Sequence, residues 1–136
     1  MSDSVTYDPR DVNVVVGNAF LTGFAEGTFV SCEKNEDHYT PHVGAQGEVD
    51  RARNANSLGM ITVTLKHTSP SNAHLNNLAK SLEMFPARVV DRNTPQTMVG
   101  GSQCWIVKPA NLERGREITG QEWQIMCADY DVSIKE

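Results

Sequence analysis

His38 and His42 stand four residues apart, a spacing at which two imidazoles on a helix face reach one metal ion. Pro41 lies between them and the flanking residues carry no helical apolar period, so the pair reads as loop histidines. Asp129 and Asp131 flank Tyr130 and share one face of an extended segment. Paired carboxylates can exchange protons or hold a cation, but at a strand end the same pattern gives a charged surface, and that is the reading adopted. Gly100-Gly101 lacks a following Lys-Ser or Lys-Thr and reads as a turn or bulge, not a phosphate loop. No Gly-x-Ser-x-Gly elbow occurs. Cys32, Cys104 and Cys127 form no Cys-x-x-Cys pair, and Cys32 has no local histidine to activate it. An odd count in a cytosolic chain argues against a disulfide framework, so all three are expected to be reduced, small, buried hydrophobes. Trp105 and Trp123 sit beside Ile106 and Ile125 without interleaved basic residues, which favours packing over base stacking. No catalytic, cofactor or metal residue is expected.

Composition narrows the function classes further. Twelve basic residues are outnumbered by seventeen acids, for a net charge of −5 and a pI of about 5.3. Tight nucleic-acid binding needs clustered Lys and Arg to displace counterions, and this chain scatters them. Contact in which DNA slides past without sticking remains compatible. Hydrophobic residues make up 39% and aromatic residues 7% of 136, so one domain with a small aliphatic core is expected. No apolar run approaches the ~20 residues of a membrane span, so no membrane insertion is expected. The N-terminus lacks the basic and apolar regions of a signal peptide, which points to the cytoplasm of the producing cell.

The elements that must carry these residues are mostly strands. Residues 11–16 alternate with Val12, Val14 and Val16 on one face, and Gly17-Asn18 signals a hairpin into residues 19–21. Residues 28–34 place Thr28, Val30 and Cys32 on one face. Residues 60–66 give the clearest strand: Ile61, Val63 and Leu65 point one way, Thr62, Thr64 and Lys66 the other. Residues 69–83 are the one good helix, with Ser69 as cap and Pro70 at the first helical position. Its stripe is Leu75, Leu78, Ala79 and Leu82; His74, Asn76, Asn77, Lys80 and Ser81 take the opposite face. Residues 87–91 and 103–108 are further strands, separated by a turn-rich stretch. Residues 121–135 read as one long strand whose apolar parity switches between Trp123, Ile125, Cys127 and Val132, Ile134, with a bulge near residues 128–131. The fold class is mainly β: two packed antiparallel sheets, sandwich or barrel, with one flanking helix in a single domain.

Residues 33–56 interrupt this pattern. They are polar, acidic first and basic near the end, without an alternating apolar pattern. A loop longer than ~12–15 residues in a compact domain is usually functional or disordered. Tyr39, Val43 and Val49 can anchor this one, and Gly44 and Gly47 let it bend. It reads as an arm reaching onto a second copy of the chain through Glu36, Asp37, His38, Tyr39, His42, Gln46, Glu48, Asp50, Arg51 and Arg53.

An ordered set of stretches resembles the tail tube proteins of contractile-tailed bacteriophages and related prophages. It runs through Tyr7-Asp8-Pro9, Thr22-Gly23-Phe24-Ala25-Glu26-Gly27-Thr28-Phe29, Glu33-Lys34-Asn35-Glu36-Asp37 and Val43-Gly44-Ala45-Gln46-Gly47-Glu48. It continues through Gly59-Met60-Ile61-Thr62-Val63-Thr64-Leu65-Lys66, Thr68-Ser69-Pro70-Ser71-Asn72 and Val90-Asp91-Arg92-Asn93. Gly100-Gly101-Ser102-Gln103, Trp105-Ile106-Val107-Lys108-Pro109 and Glu122-Trp123 complete it. The resemblance implies a non-enzymatic virion subunit, assembled in the host cytoplasm, with the fold of haemolysin-coregulated protein. Hexameric rings would stack into a tube whose inner barrel conducts DNA. Implied partners are further copies, tail sheath, tape measure protein, baseplate and tail terminator proteins, and double-stranded DNA in transit. If residues 60–66 lie in such a barrel, Thr62, Thr64 and Lys66 line the channel, with Glu33 on the preceding strand offsetting Lys66. Two other readings stand beside this one. The first is a monomeric β-sandwich binding through residues 33–56; the second is a small cupin-like barrel enzyme with His38, His42 and Glu48 as ligands.

Overall fold

A computed structural model describes residues 6–135. Ten strands and one α-helix follow a short 3-10 turn at Pro9–Asp11. The strands are β1 (Val12–Val16), β2 (Ala19–Phe20), β3 (Val30–Lys34), β4 (Tyr39–Val43), β5 (Val49–Arg53) and β6 (Gly59–Lys66). After α1 (Ser71–Ser81) come β7 (Phe85–Asp91), β8 (Thr97–Ile106), β9 (Gly120–Cys127) and β10 (Asp131–Ile134). All pairings are antiparallel, in the order β2-β1-β7-β8-β9-β6-β3, with β10 also on β8 and β4-β5 forming a separate ribbon. The sheet is not closed. It folds over at β8 into two layers, mainly β as expected.

The fold at β8 has a local cause. Residues 97–100 pair with β10, and residues 104–106 pair with β9. Between them the Asp129 carboxylate fills the gap. It accepts hydrogen bonds from the Ser102 and Gln103 N–H groups at 3.0 Å and from the Ser102 hydroxyl at 2.6 Å. These bonds hold its pKa down at about 2. On the other side, the β7 register slips between Phe85 and Ala87. There Gly100 lies so close to the Ala87 carbonyl that no Cβ would fit, so the bulge reading of Gly100-Gly101 holds.

The core is the row structure of β6 and its neighbours. Ile61, Val63 and Leu65 are fully buried, and Trp123, Ile125 and Cys127 of β9 lie on the same side. Val14 and Val16 of β1, Ala87 and Val89 of β7 and Leu75 of α1 meet them. The helix closes one end of this core. Its Asn72 side chain donates to the carbonyls of Lys66, His67 and Ser69 and accepts from the Trp123 indole N–H at 2.9 Å. Ser69 donates its hydroxyl to the Thr22 carbonyl and accepts from the Ser71 N–H, while the Ser71 hydroxyl accepts from the Thr22 N–H.

Several expectations are corrected. Pro70 is the residue before the helix, not its first member. Leu82 is not in the buried stripe: the helix ends there in left-handed geometry (φ 60°), which leaves its side chain 91% exposed. His74 is not on the solvent face; its Nε2 bonds the Val16 carbonyl at 2.9 Å. Residues 97–101, read as turns, are the first half of β8. Residues 121–135 are two strands: the chain turns at Ala128-Asp129 and β10 pairs with a different part of β8. Their opposite parity is real, and Val132 and Ile134 are exposed.

Candidate assembly surfaces

The arm is a β-hairpin, contrary to the patternless loop expected from the sequence. Its strands β4 and β5 pair with one another, and all ten of their residues are exposed. Tyr39, Val43 and Val49 therefore do not anchor it to its own body; Val43 is 70% and Val49 65% exposed. Register explains how Pro41 fits. The Gly44 N–H donates to the Glu48 carbonyl and the Asn54 N–H to the His38 carbonyl. The pairs Val43/Val49, Pro41/Arg51 and Tyr39/Arg53 are thus the non-hydrogen-bonded ones, where the missing proline N–H would have pointed to solvent. Those three pairs share one face of the ribbon. It carries Tyr39, Pro41, Val43 and Val49 with Arg51 and Arg53, and the Arg51 guanidinium lies 4.0 Å from the Tyr39 ring centre. The other face carries Thr40, His42, Asp50 and Ala52. Gly47, at φ 86°, closes the turn.

The remaining arm residues stay apart from any site chemistry. Four residues of extended chain separate His38 from His42, about 13 Å at ~3.3 Å each, so the two rings do not share a ligand. Glu36 accepts from the Asn54 amide at 2.6 Å, which holds its carboxyl below the ordinary range. Asp37, Gln46 and Glu48 are exposed around the hairpin base and tip. Among the described residues no group of three or more His, Cys, Asp and Glu side chains gathers for a metal. Nor do Asp129 and Asp131 form a carboxylate pair: Asp129 is tied to β8 and Asp131 opens β10.

The second surface is the outer face of β3, β6, β9 and the end of β8. Thr62, Thr64 and Lys66 face away from the core, as the period of two requires. Glu33 is on the same face, but it pairs with Met60, six residues from Lys66, so it does not offset that charge. The acid near Lys66 is Glu122, which pairs with Thr64. Thr64, Glu122 and Gln124 also floor a polar recess of about 350 Å³, overhung by Lys108–Asn111 and Glu113. One cross-strand row went unnoticed in the sequence: Glu33, Met60, Met126 and Trp105 lie side by side across four strands. Only register reveals it, because each belongs to a different strand.

The stretches that carry the resemblance meet in space. Asp8 and Asn93 exchange two hydrogen bonds of 2.9 Å, and the Arg92 N–H donates to the Asp11 carbonyl. Thr22-Gly23 is clasped to Ser69 and Ser71, with Gly23 at φ 73° and no room for a Cβ beside Ser69. The family described as bacteriophage PhiTE tail tube protein matches residues 5–134. The chain belongs to that tail tube family. A structural protein of Pseudomonas phage KPP10, ORF10, is 42% identical over 73 residues; that match spans 49% of this chain and 42% of the relative. Three solved structures share the fold at low identity. The sheath/tube terminator of an extracellular contractile injection system superposes with a TM-score of 0.67 at 12% identity, covering 97% of this chain and 99% of that one. The tube terminating cap of the anti-feeding prophage gives 0.66 at 11%, covering 98% and 95%. A chain of the injection system's sheath-tube complex gives 0.65 at 13%, covering 95% and 92%. The tail tube member is thus a phage tail structural protein with a two-layer β fold and an exposed ribbon.

Proposed function

We propose that this tail tube protein is a ring-forming subunit, that its rings stack into a conduit for DNA ejection, and that the β4-β5 hairpin is the arm joining neighbouring copies. The carrying observation is the hairpin's apolar face: Val43 and Val49 lie open to solvent, and Tyr39 is half-exposed with only the Arg51 guanidinium over its ring. A lone two-stranded ribbon is marginally stable in water, so a partner surface that covers this face would also order it. The role is structural and not enzymatic, carried out in the virion after assembly in host cytoplasm. Sheath, tape measure, baseplate and terminator proteins are the further partners. The similar structures, a sheath/tube terminator, a tube-terminating cap and a sheath-tube complex, support sheath and terminator among them.

The outer face of β6 is proposed as the lumen wall. The Thr62 and Thr64 hydroxyls and the Gln124 amide, with Glu122 near Lys66 and Glu33 further along the face, give a wet surface that does not hold phosphates. Thr62→Lys with Thr64→Lys is expected to assemble but to slow ejection, more so at low salt. Unchanged ejection kinetics from intact double-mutant particles would remove this face from the conduit. Deleting residues 36–53 tests the arm. The expected product is a folded subunit that forms no tubes by negative-stain microscopy; normal tubes would refute the arm.

A further inference from the structure

Strand register brings together two cysteines that nothing in the sequence pairs. Cys104 of β8 lies directly across from Cys127 of β9. The Ala128 N–H donates to the Gln103 carbonyl at 2.9 Å, and the Val107 N–H to the Gln124 carbonyl at 3.0 Å. In an antiparallel ladder such bonds run from the residue after one partner to the residue before the other. Cys104/Cys127 is therefore a non-hydrogen-bonded pair, the kind whose Cα atoms stand ~4.5 Å apart with side chains leaning together. That separation falls within the ~4.4–6.8 Å a disulfide spans. The two Sγ atoms are 3.0 Å apart, and neither residue is exposed to solvent. Cys32 pairs instead with Ile61, on the far side of β6 from β9. All three are free thiols.

We propose that Cys104 and Cys127 are an oxidisable dithiol that closes to a cross-strand disulfide once the protein leaves the reducing cell, fastening β9 to β8 where the sheet folds over. The oxidant is a low-molecular-weight disulfide such as oxidised glutathione. One cysteine thiolate attacks it, forming a mixed disulfide and expelling one glutathione thiolate. The second cysteine, as thiolate, attacks the protein sulfur of that mixed disulfide; the cross-strand bond forms and the second glutathione leaves. Two protein sulfurs are oxidised and one small disulfide is reduced to two thiols, with the cysteine protons passing to the departing thiolates. The contact with Cys104 and burial push the Cys127 thiol up, and either sulfur can make the first attack because the two lie in contact. Access needs a local opening. The opening involves the short β8–β9 ladder, which pairs residues 104–106 and has one flanking bond at each end.

The part of this inference that concerns leaving the cell rests on the virion reading; the dithiol itself does not. The purified full-length chain is equilibrated with oxidised glutathione, alkylated under denaturing conditions and mapped by non-reducing peptide mass spectrometry. The expected result is one bond per chain joining the Cys104 and Cys127 peptides, with Cys32 still alkylated. The melting temperature should rise by about 5 °C or more through the closed loop. Cys32→Ser should give the same bond and the same rise, whereas Cys104→Ser should give neither. Free Cys104 and Cys127 after oxidation, a bond to Cys32, or a fall in melting temperature would each overturn the proposal. Virions purified without reductant that keep the pair reduced would overturn closure outside the cell, and would leave the tube assignment untouched.

Discussion

Two antiparallel ribbons in this molecule share one construction and differ in what covers them. In β6 and β9, Ile61 faces Ile125 and Val63 faces Trp123 across the ladder, with Leu65 and Cys127 continuing the same side, and the body covers that face. In β4 and β5, Tyr39, Pro41 and Val43 face Arg53, Arg51 and Val49 across a ladder of the same kind, and nothing in the subunit covers them. The period of two makes a two-sided strand in both cases. Burying each valine fully would contribute at most about 2 kcal/mol, and the isolated subunit forgoes that. The body ribbon therefore determines whether the chain folds. The arm ribbon is proposed to have its consequences at the next level, where copies meet.

Substitutions that break this comparison most are those in the body. Leu75→Asp places an unpaired charge where the side chain is fully buried, and should cost on the order of 3 kcal/mol or more by thermal denaturation. Leu78→Asp should cost clearly less, because Leu78 is only partly buried at the rim of the same cluster. Equal losses would mean the helix sits deeper than described.

Asn72→Ala should follow at about 1–3 kcal/mol, since it leaves the buried Trp123 indole N–H without its acceptor. A melting temperature equal to wild type would remove that bond from the account. Asp129→Asn should be smaller and pH-dependent. The folded carboxyl titrates at about 2 against an ordinary 3.8, so its stabilisation is present above the ordinary value and fades as pH falls through about 2. The variant should melt lower at neutral pH and converge with wild type in strong acid. A gap independent of pH would place the effect in packing instead. Smallest of all is Val49→Asp in the arm, expected within about 0.5 kcal/mol of wild type in the isolated subunit.

The same contrast explains what the sequence revealed. β6 was legible because its β-branched residues alternate without interruption, and the rows it builds are the observed core. The arm hid its strands behind Pro41 and a charged second half, since proline within a run argues against a strand unless its missing N–H falls on a free edge. β8 was half seen because Gly100-Gly101 reads as a turn, while its role is to let the Ala87 backbone approach and the strand bend. β10 merged with β9 because a parity switch looks alike whether the cause is a bulge or a tight turn. That Thr62, Thr64 and Lys66 face away from the core followed from period alone. The Glu33–Lys66 pairing failed because inter-strand register has no trace in one strand's pattern.

The claim that the arm acts between subunits and not within one is tested by the double variant Val43→Asp, Val49→Asp. Melting temperature of the dissociated subunit and negative-stain images of assembled material are taken from the same preparation. The account predicts a melting temperature like wild type and no rings or tubes. Normal tubes, or a subunit that no longer folds, would contradict it.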